Sequence, residues 1–401
     1  MAADLRLPLG GYYRPGRFMP VGFSGKGEDV ELSAAGAVRL HIAGAQEGVA
    51  PWLIIGASGV TSPAISESTP LQALGPDEKL VGLAGVDVAL PGDLFGDQMV
   101  VRETLDAVDP LPGAPVAWES LDAVAMSETA FGRLRADQFK TLVAGGTAVL
   151  VEAGNGDRAP PPNGAGVTWR RDGAWWRCDG MPSLSAGAGG AAFAPLEDWA
   201  PETSDQTRRQ ILVLGTGFTL VMLALVCGRR SWRWHAGACV ACLAVTGVWQ
   251  SRRPETESRQ GTVWLEGASG GVGADDTWTY IRGLRPTTVE LPWAGDIELP
   301  VPAREQDATA MRLDCDGQGN PLGYFCPLGR MESICLVSRT IQGQVTPDGV
   351  TWAVVTATVS PLRRLLPDVY PQCVVVGETP SGSPDVWPSL VVRLMALGPG
   401  Q

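Results

Sequence analysis

Two histidines in 401 residues leave this chain poorly supplied for proton transfer and for metal binding. Charge is also scarce, at 18% of residues, and the 31 basic side chains are outnumbered by 43 acidic ones. Without a basic face to neutralise phosphates, nucleic-acid binding is disfavoured. The opening Met1-Ala2-Ala3-Asp4-Leu5 has no basic region followed by an apolar core, so no signal peptide is expected there. No His/Cys cluster has the spacing of a metal site, and no cofactor or metal is expected.

What the chain does have is glycine and proline, 51 and 32 residues. That balance suits β-rich domains with many turns. It also has two uncharged apolar runs, Ile211 to Cys227 and Ala236 to Gln250. A short turn with Arg229, Arg230 and Arg233 separates them. A membrane crossing needs roughly 20 apolar residues, so the pair predicts a transmembrane helical hairpin over 210–250. Trp232, Trp234 and Trp249 sit where indole rings favour the membrane interface. The alternative is a buried helical hairpin in a soluble core.

Elsewhere the pattern divides the chain into three. Residues 1–66 read as a small β-sandwich-like domain, with strand runs at Phe18–Phe23, Ala37–Ile42 and Trp52–Ile55. Residues 70–200 alternate strands and helices. Leu121 to Met126 predicts a buried strand, Ser127 caps a helix through Leu142, Gly145-Gly146 stops it, and Thr147 to Val151 predicts the next strand. Strand, helix, strand is a βαβ unit and implies a parallel sheet. Residues 260–401 carry strand signals throughout and predict a β-sandwich. Cys315, Cys326, Cys335 and Cys373 fall in that last region and permit two disulfides in three connectivities. Four buried free thiols are the alternative.

The stretch Leu121-Asp-Ala-Val-Ala-Met-Ser127 with Ala144-Gly-Gly-Thr-Ala-Val-Leu150 resembles the class I glutamine amidotransferase-like domain of bacterial membrane proteins. Gly10 to Val21 resembles the first strands of the β-sandwich that precedes this domain in that group. The resemblance implies soluble domains exported and tethered by membrane helices, and the three Arg of the turn favour a cytoplasmic turn with the large domains on the periplasmic side of the inner membrane. The resemblance does not carry catalysis. An amidotransferase needs a Cys on a strand-to-helix turn and a His to activate it. No Cys of the α/β region precedes Cys178, and neither His41 nor His235 is placed to serve.

Other motifs are weaker. Cys239-x-x-Cys242 lies inside an apolar run, unlike an exposed redox pair. Gly267 to Gly273 lacks the Lys of a phosphate loop. Asp314 to Asn320 resembles part of a calcium loop but lacks its closing Glu, and reads as a turn. Asp275-Asp276 read as solvated.

The chain as a whole is therefore expected to be a multidomain membrane protein. Its parts are a small β domain, an amidotransferase-like α/β domain, a transmembrane hairpin and a C-terminal β-sandwich. The expected role is a non-enzymatic, membrane-anchored scaffold or subunit of a bacterial envelope complex, in contact with other envelope proteins and the lipid bilayer. The alternative is a ligand-binding module with Ser127 and Glu128 lining a pocket at the strand edge. A hydrolase using Ser127 would require a base beside it.

Overall fold

The structure is a computed structural model. It describes residues 4–60, 71–86, 89–91, 95–154, 169–181, 215, 217–218, 255–266, 273–302, 308–342, 373–381 and 389–396.

The first strands are β1 (Asp4–Arg6), β2 (Tyr12–Tyr13), β3 (Arg17–Leu32), β4 (Ala34–Ala37), β5 (Arg39–Val60) and β6 (Gln72–Ala73). The α/β region follows with β7 (Glu78–Ala84), β8 (Met99–Leu105), a 3-10 turn (Pro115–Trp118), β9 (Ala123–Met126), α1 (Glu128–Phe131), α2 (Ala136–Gly145), β10 (Ala148–Glu152), β11 (Arg170–Asp172) and β12 (Trp175–Cys178). Beyond residue 254 come β13 (Thr256–Glu266), β14 (Gly273–Gly283), β15 (Thr287–Pro292), β16 (Ile297–Pro302), β17 (Arg312–Cys315), β18 (Pro321–Leu328), β19 (Ser333–Gln342), β20 (Cys373–Ser381) and β21 (Ser389–Ala396).

Three large sheets result. The first runs β1-β3-β5-β17-β18-β15, with β4 also on β5. Its centre joins the two ends of the chain, because β5 pairs in parallel with β17, Arg39 opposite Arg312 and Ile42 opposite Cys315. One face is apolar across β3, β5, β17 and β18, with Leu32, Leu40, Leu313 and Tyr324 aligned and buried. The opposite face carries Glu31, His41 and Asp314 in a row. This is the alternation of a sheet with one wet side.

The second sheet runs β11-β12-β10-β9-β7-β8, and its strands β7 to β10 are parallel. The third runs β16-β19-β14-β13-β21-β20. α2 and the 3-10 turn lie between them: α2 packs on β10, β16 and β19, and the turn packs on α2, β3 and β5. One core therefore serves all three sheets, joining Phe18 and Trp52 of the first, Val124 and Val149 of the second, and Leu299 and Val337 of the third.

Two expectations need correction. The N-terminal β region and the C-terminal region are not a small domain and a separate sandwich, since β17, β18 and β15 complete the N-terminal sheet. The transmembrane hairpin is not supported either. The described chain is mainly β-sheet with two short helices, and no helix among the described residues is long and apolar enough to cross a membrane. Residues 210–250 lie outside the described residues except Gly215, Gly217 and Phe218, and so do Arg229, Arg230, Trp232, Arg233, Trp234 and Trp249.

The predicted βαβ unit is present, with one difference. The helix is split into α1 and α2 at Gly132–Arg135. Arg135 takes extended backbone (φ −70°, ψ 151°) and starts a second helix, its amide donating to Gln138 Oε1 at 3.0 Å.

Candidate functional site

The parallel strands lie in the spatial order β8-β7-β9-β10, so the connections leave β7 and β9 in opposite directions. That reversal is the topological switch point where open α/β sheets bind ligands, at the carboxyl ends of the strands. Ser127 stands there, directly after β9, its amide donating to Ala84 O at 3.0 Å across to β7. Its hydroxyl accepts from the Ala130 amide at 3.3 Å, which caps α1. Glu128 is exposed and reaches over the end of β10, close to Gly154. Asp106, just past β8, accepts from the Val108 amide at 2.7 Å, and Arg133 donates to Ala107 O at 3.4 Å. Beneath this edge Phe131, Phe139 and Trp169 pack with ring centroids 5.6 to 5.9 Å apart.

The structure brings Ser127 and Glu128 to the switch point, and among the described residues no general base is hydrogen-bonded to the Ser127 hydroxyl. His41 lies on the outer face of the first sheet, where Nδ1 is 3.3 Å from Asp314 and Nε2 is 4.0 Å from Asp29. His235 lies outside the described residues. Cys178 sits opposite Val149, near the start of β10, whereas Ser127 follows the far end of the neighbouring strand. Burial, with Asp179 beside it, pushes the Cys178 thiol up to about 12, far from a reactive thiolate.

No disulfide joins the described cysteines. Cys315, Cys326 and Cys335 are buried free thiols. They occupy inward positions of β17, β18 and β19, where a thiol acts as a small apolar side chain. The side chain of Cys373 lies outside the described residues. Asp316 is an Asx turn, accepting from the Gln318 and Asn320 amides, each at 2.9 Å, and from Asn320 Nδ2 at 2.9 Å. Among the described residues no three His, Cys, Asp or Glu side chains are grouped so as to hold a metal ion.

The polar group that sequence reasoning missed is internal. Asp276 is not solvated: it and Arg339 are fully buried and paired. Arg339 Nη1 also donates to Ala144 O at 2.5 Å, so the third sheet grips the end of α2. Near it, Glu119 is buried directly after the 3-10 turn, receiving the Phe18 amide at 3.5 Å, while Arg17 Nη1 donates to Glu119 O at 3.5 Å. Arg14 ties the first sheet to the second, donating to Asp122 Oδ2 at 2.7 Å and to Glu78 O at 2.6 Å. Tyr324 ties the first sheet to the third, its hydroxyl donating to Glu298 O at 2.7 Å. The available signal was a charged residue inside an apolar run, as Arg339 stands in Ile334-Cys-Leu-Val-Ser-Arg-Thr-Ile341.

No protein-family model matches the chain, and neither a curated protein sequence nor a solved structure does.

Proposed function

We propose that this protein is a non-catalytic scaffold or complex subunit that binds another protein along β8. The observation that carries this reading is the rim of the second sheet. β8 pairs with β7 alone among the described strands, and two large apolar side chains are exposed beside it, Met99 at 57% and Val108 at 66%. An open parallel edge flanked by apolar side chains is a template for strand addition by a partner. The polar groups elsewhere are consistent with a binding role: the Ser127 hydroxyl is occupied as a helix cap, and the buried charges join sheets. The resemblance to amidotransferase-like envelope proteins makes an envelope complex the place to look for that partner.

A photo-crosslinking residue in place of Met99, in cells that produce the protein, tests this. Adducts with a second protein at position 99, lost when Val108 is also changed to Lys, are the expected result. Uncrosslinked monomer at position 99 would overturn it.

A second reading has one specific observation in its favour, the strand-order reversal between β7 and β9. A small ligand held there would contact Ser127 and Glu128. Metabolite-induced shifts in amide signals at residues 84–86 and 127–129, with none at β8, would favour it over the scaffold.

A further inference from the structure

Glu119 stands where the three sheets meet. β3 of the first sheet presents Arg17 and the Phe18 amide. α2 presents Gly145 there, so close that a Cβ on it would lie 3.0 Å from Glu119 Cγ. The third sheet presents Arg339, with Asp276 behind it, and Ile297 beside Gly145. Tyr324 of β18 also faces the carboxyl, and Arg14 with Asp122 lies beyond Arg17.

The carboxyl is poorly served in either state. Its Oε1 is buried with no hydrogen-bond partner among the described residues, and its Oε2 receives one long bond from Phe18. An ionised carboxylate in such a place lacks most of its solvation. Arg339 is already matched by two bonds to Asp276. Arg17 is shared with Asp122, which acts on it more strongly than Glu119 does, and it donates to the Glu119 backbone carbonyl and not to the carboxylate.

We propose that this junction is a proton-linked latch, in which Glu119 binds a proton when the sheets are closed on it and releases that proton when they part. Burial pushes the Glu119 carboxyl up to about 7, against the opposing pull of Arg17, the Phe18 amide and Arg339. The sign follows from linkage. The closed state holds the proton more tightly than an exposed carboxyl does, so opening releases it and is favoured as pH rises between the ordinary Glu range and about 7. Above that window both states are ionised and the dependence levels off. Asp275, pushed up to about 6 by burial and by Asp276, titrates in the same window and is separated from Glu119 by mutation.

Amide hydrogen exchange of the whole chain between pH 5 and pH 9, corrected for intrinsic base catalysis, tests the latch. Segments 17–19, 118–120, 143–147 and 337–339 should open more readily by roughly ten- to hundred-fold from pH 5 to pH 7, and no further above pH 8. Glu119→Gln should remove most of that rise, and Asp275→Asn should leave most of it. A flat profile in the unmodified protein, or an unchanged profile in Glu119→Gln, would overturn the proposal. Should Glu119→Gln fail to fold, the carboxyl carbon of Glu119 in the unmodified protein decides the matter by NMR: a midpoint near pH 7 supports the latch, and one below pH 5 refutes it.

Discussion

Arg339 holds Asp276 by both carboxylate oxygens, at 2.6 and 2.8 Å, and neither side chain touches solvent. Pairs of this kind add little net stability, because desolvation offsets the attraction, but removing one partner strands the other. Arg339→Met should therefore cost about 3–5 kcal/mol in urea unfolding. The double variant with Asp276→Leu should recover most of the loss. Equal loss in the single and double variants would mean that the Ala144 carbonyl, and not Asp276, is the partner that matters.

Ser127 is a helix cap on this structure, and its removal should behave as such. Ser127→Ala should lower stability by about 0.5–2 kcal/mol, the usual range for a lost N-cap. Ser127→Asp should restore it, since Asp caps equally well. A variant in which Ala and Asp are equally damaging would point to a role at the switch point that depends on the hydroxyl itself.

The sequence made much of the local structure readable. Strand-like runs marked β3 and β5, and the order Met126-Ser127 followed by Gly145-Gly146 marked a strand, a capped helix and its stop. Pairing was not readable. Alternation says which face of Leu40 is buried, but not that its neighbour is Leu313, more than 250 residues away in the chain. Hence the two ends of the chain read as separate domains. The break in the helix was hidden because Leu134 and Phe139 keep an apolar face on both sides of it. The junction around Glu119 was hidden for another reason: a buried charge is recognised by its partner, and the partners of Glu119 lie on strands far from it in sequence.

The four described cysteines should be silent in the folded protein. Burial raises the thiols of Cys178 and Cys326 to about 12 and pushes those of Cys315 and Cys335 higher still. At pH 8 a thiol-specific chromophoric reagent should react with none of the four until denaturant is added, when all should react. Peptide mapping of the labelled protein distinguishes them from the remaining cysteines. Rapid native labelling of Cys315 or Cys335 would contradict the placement of β17 or β19.

Gly48 offers the most direct test of the sheet that joins the two ends of the chain. It lies on β5, and a Cβ built on it would come within 2.3 Å of the Gln318 carbonyl oxygen and 3.0 Å of the Phe23 ring. The first contact is with backbone between β17 and β18, which cannot turn aside as a flexible side chain would. Gly48→Ala must therefore push that turn off β5 and loosen the β5–β17 ladder. The backbone of Gly48 is itself ordinary, so the cost is steric and not conformational. Overpacking of this kind typically costs about 1–3 kcal/mol. Exchange protection should fall at Leu313 and Cys315 as well as at Gly48, although the mutation is more than 250 residues away in sequence. Gly27→Ala is the control, for a Cβ there meets nothing within 4 Å, and its left-handed φ of 85° confines any cost to the irregular stretch of β3 between Ser24 and Glu28. If Gly48→Ala lowered protection only within residues 39–60, β17 would not be the neighbour of β5, and the two ends of the chain would fold apart.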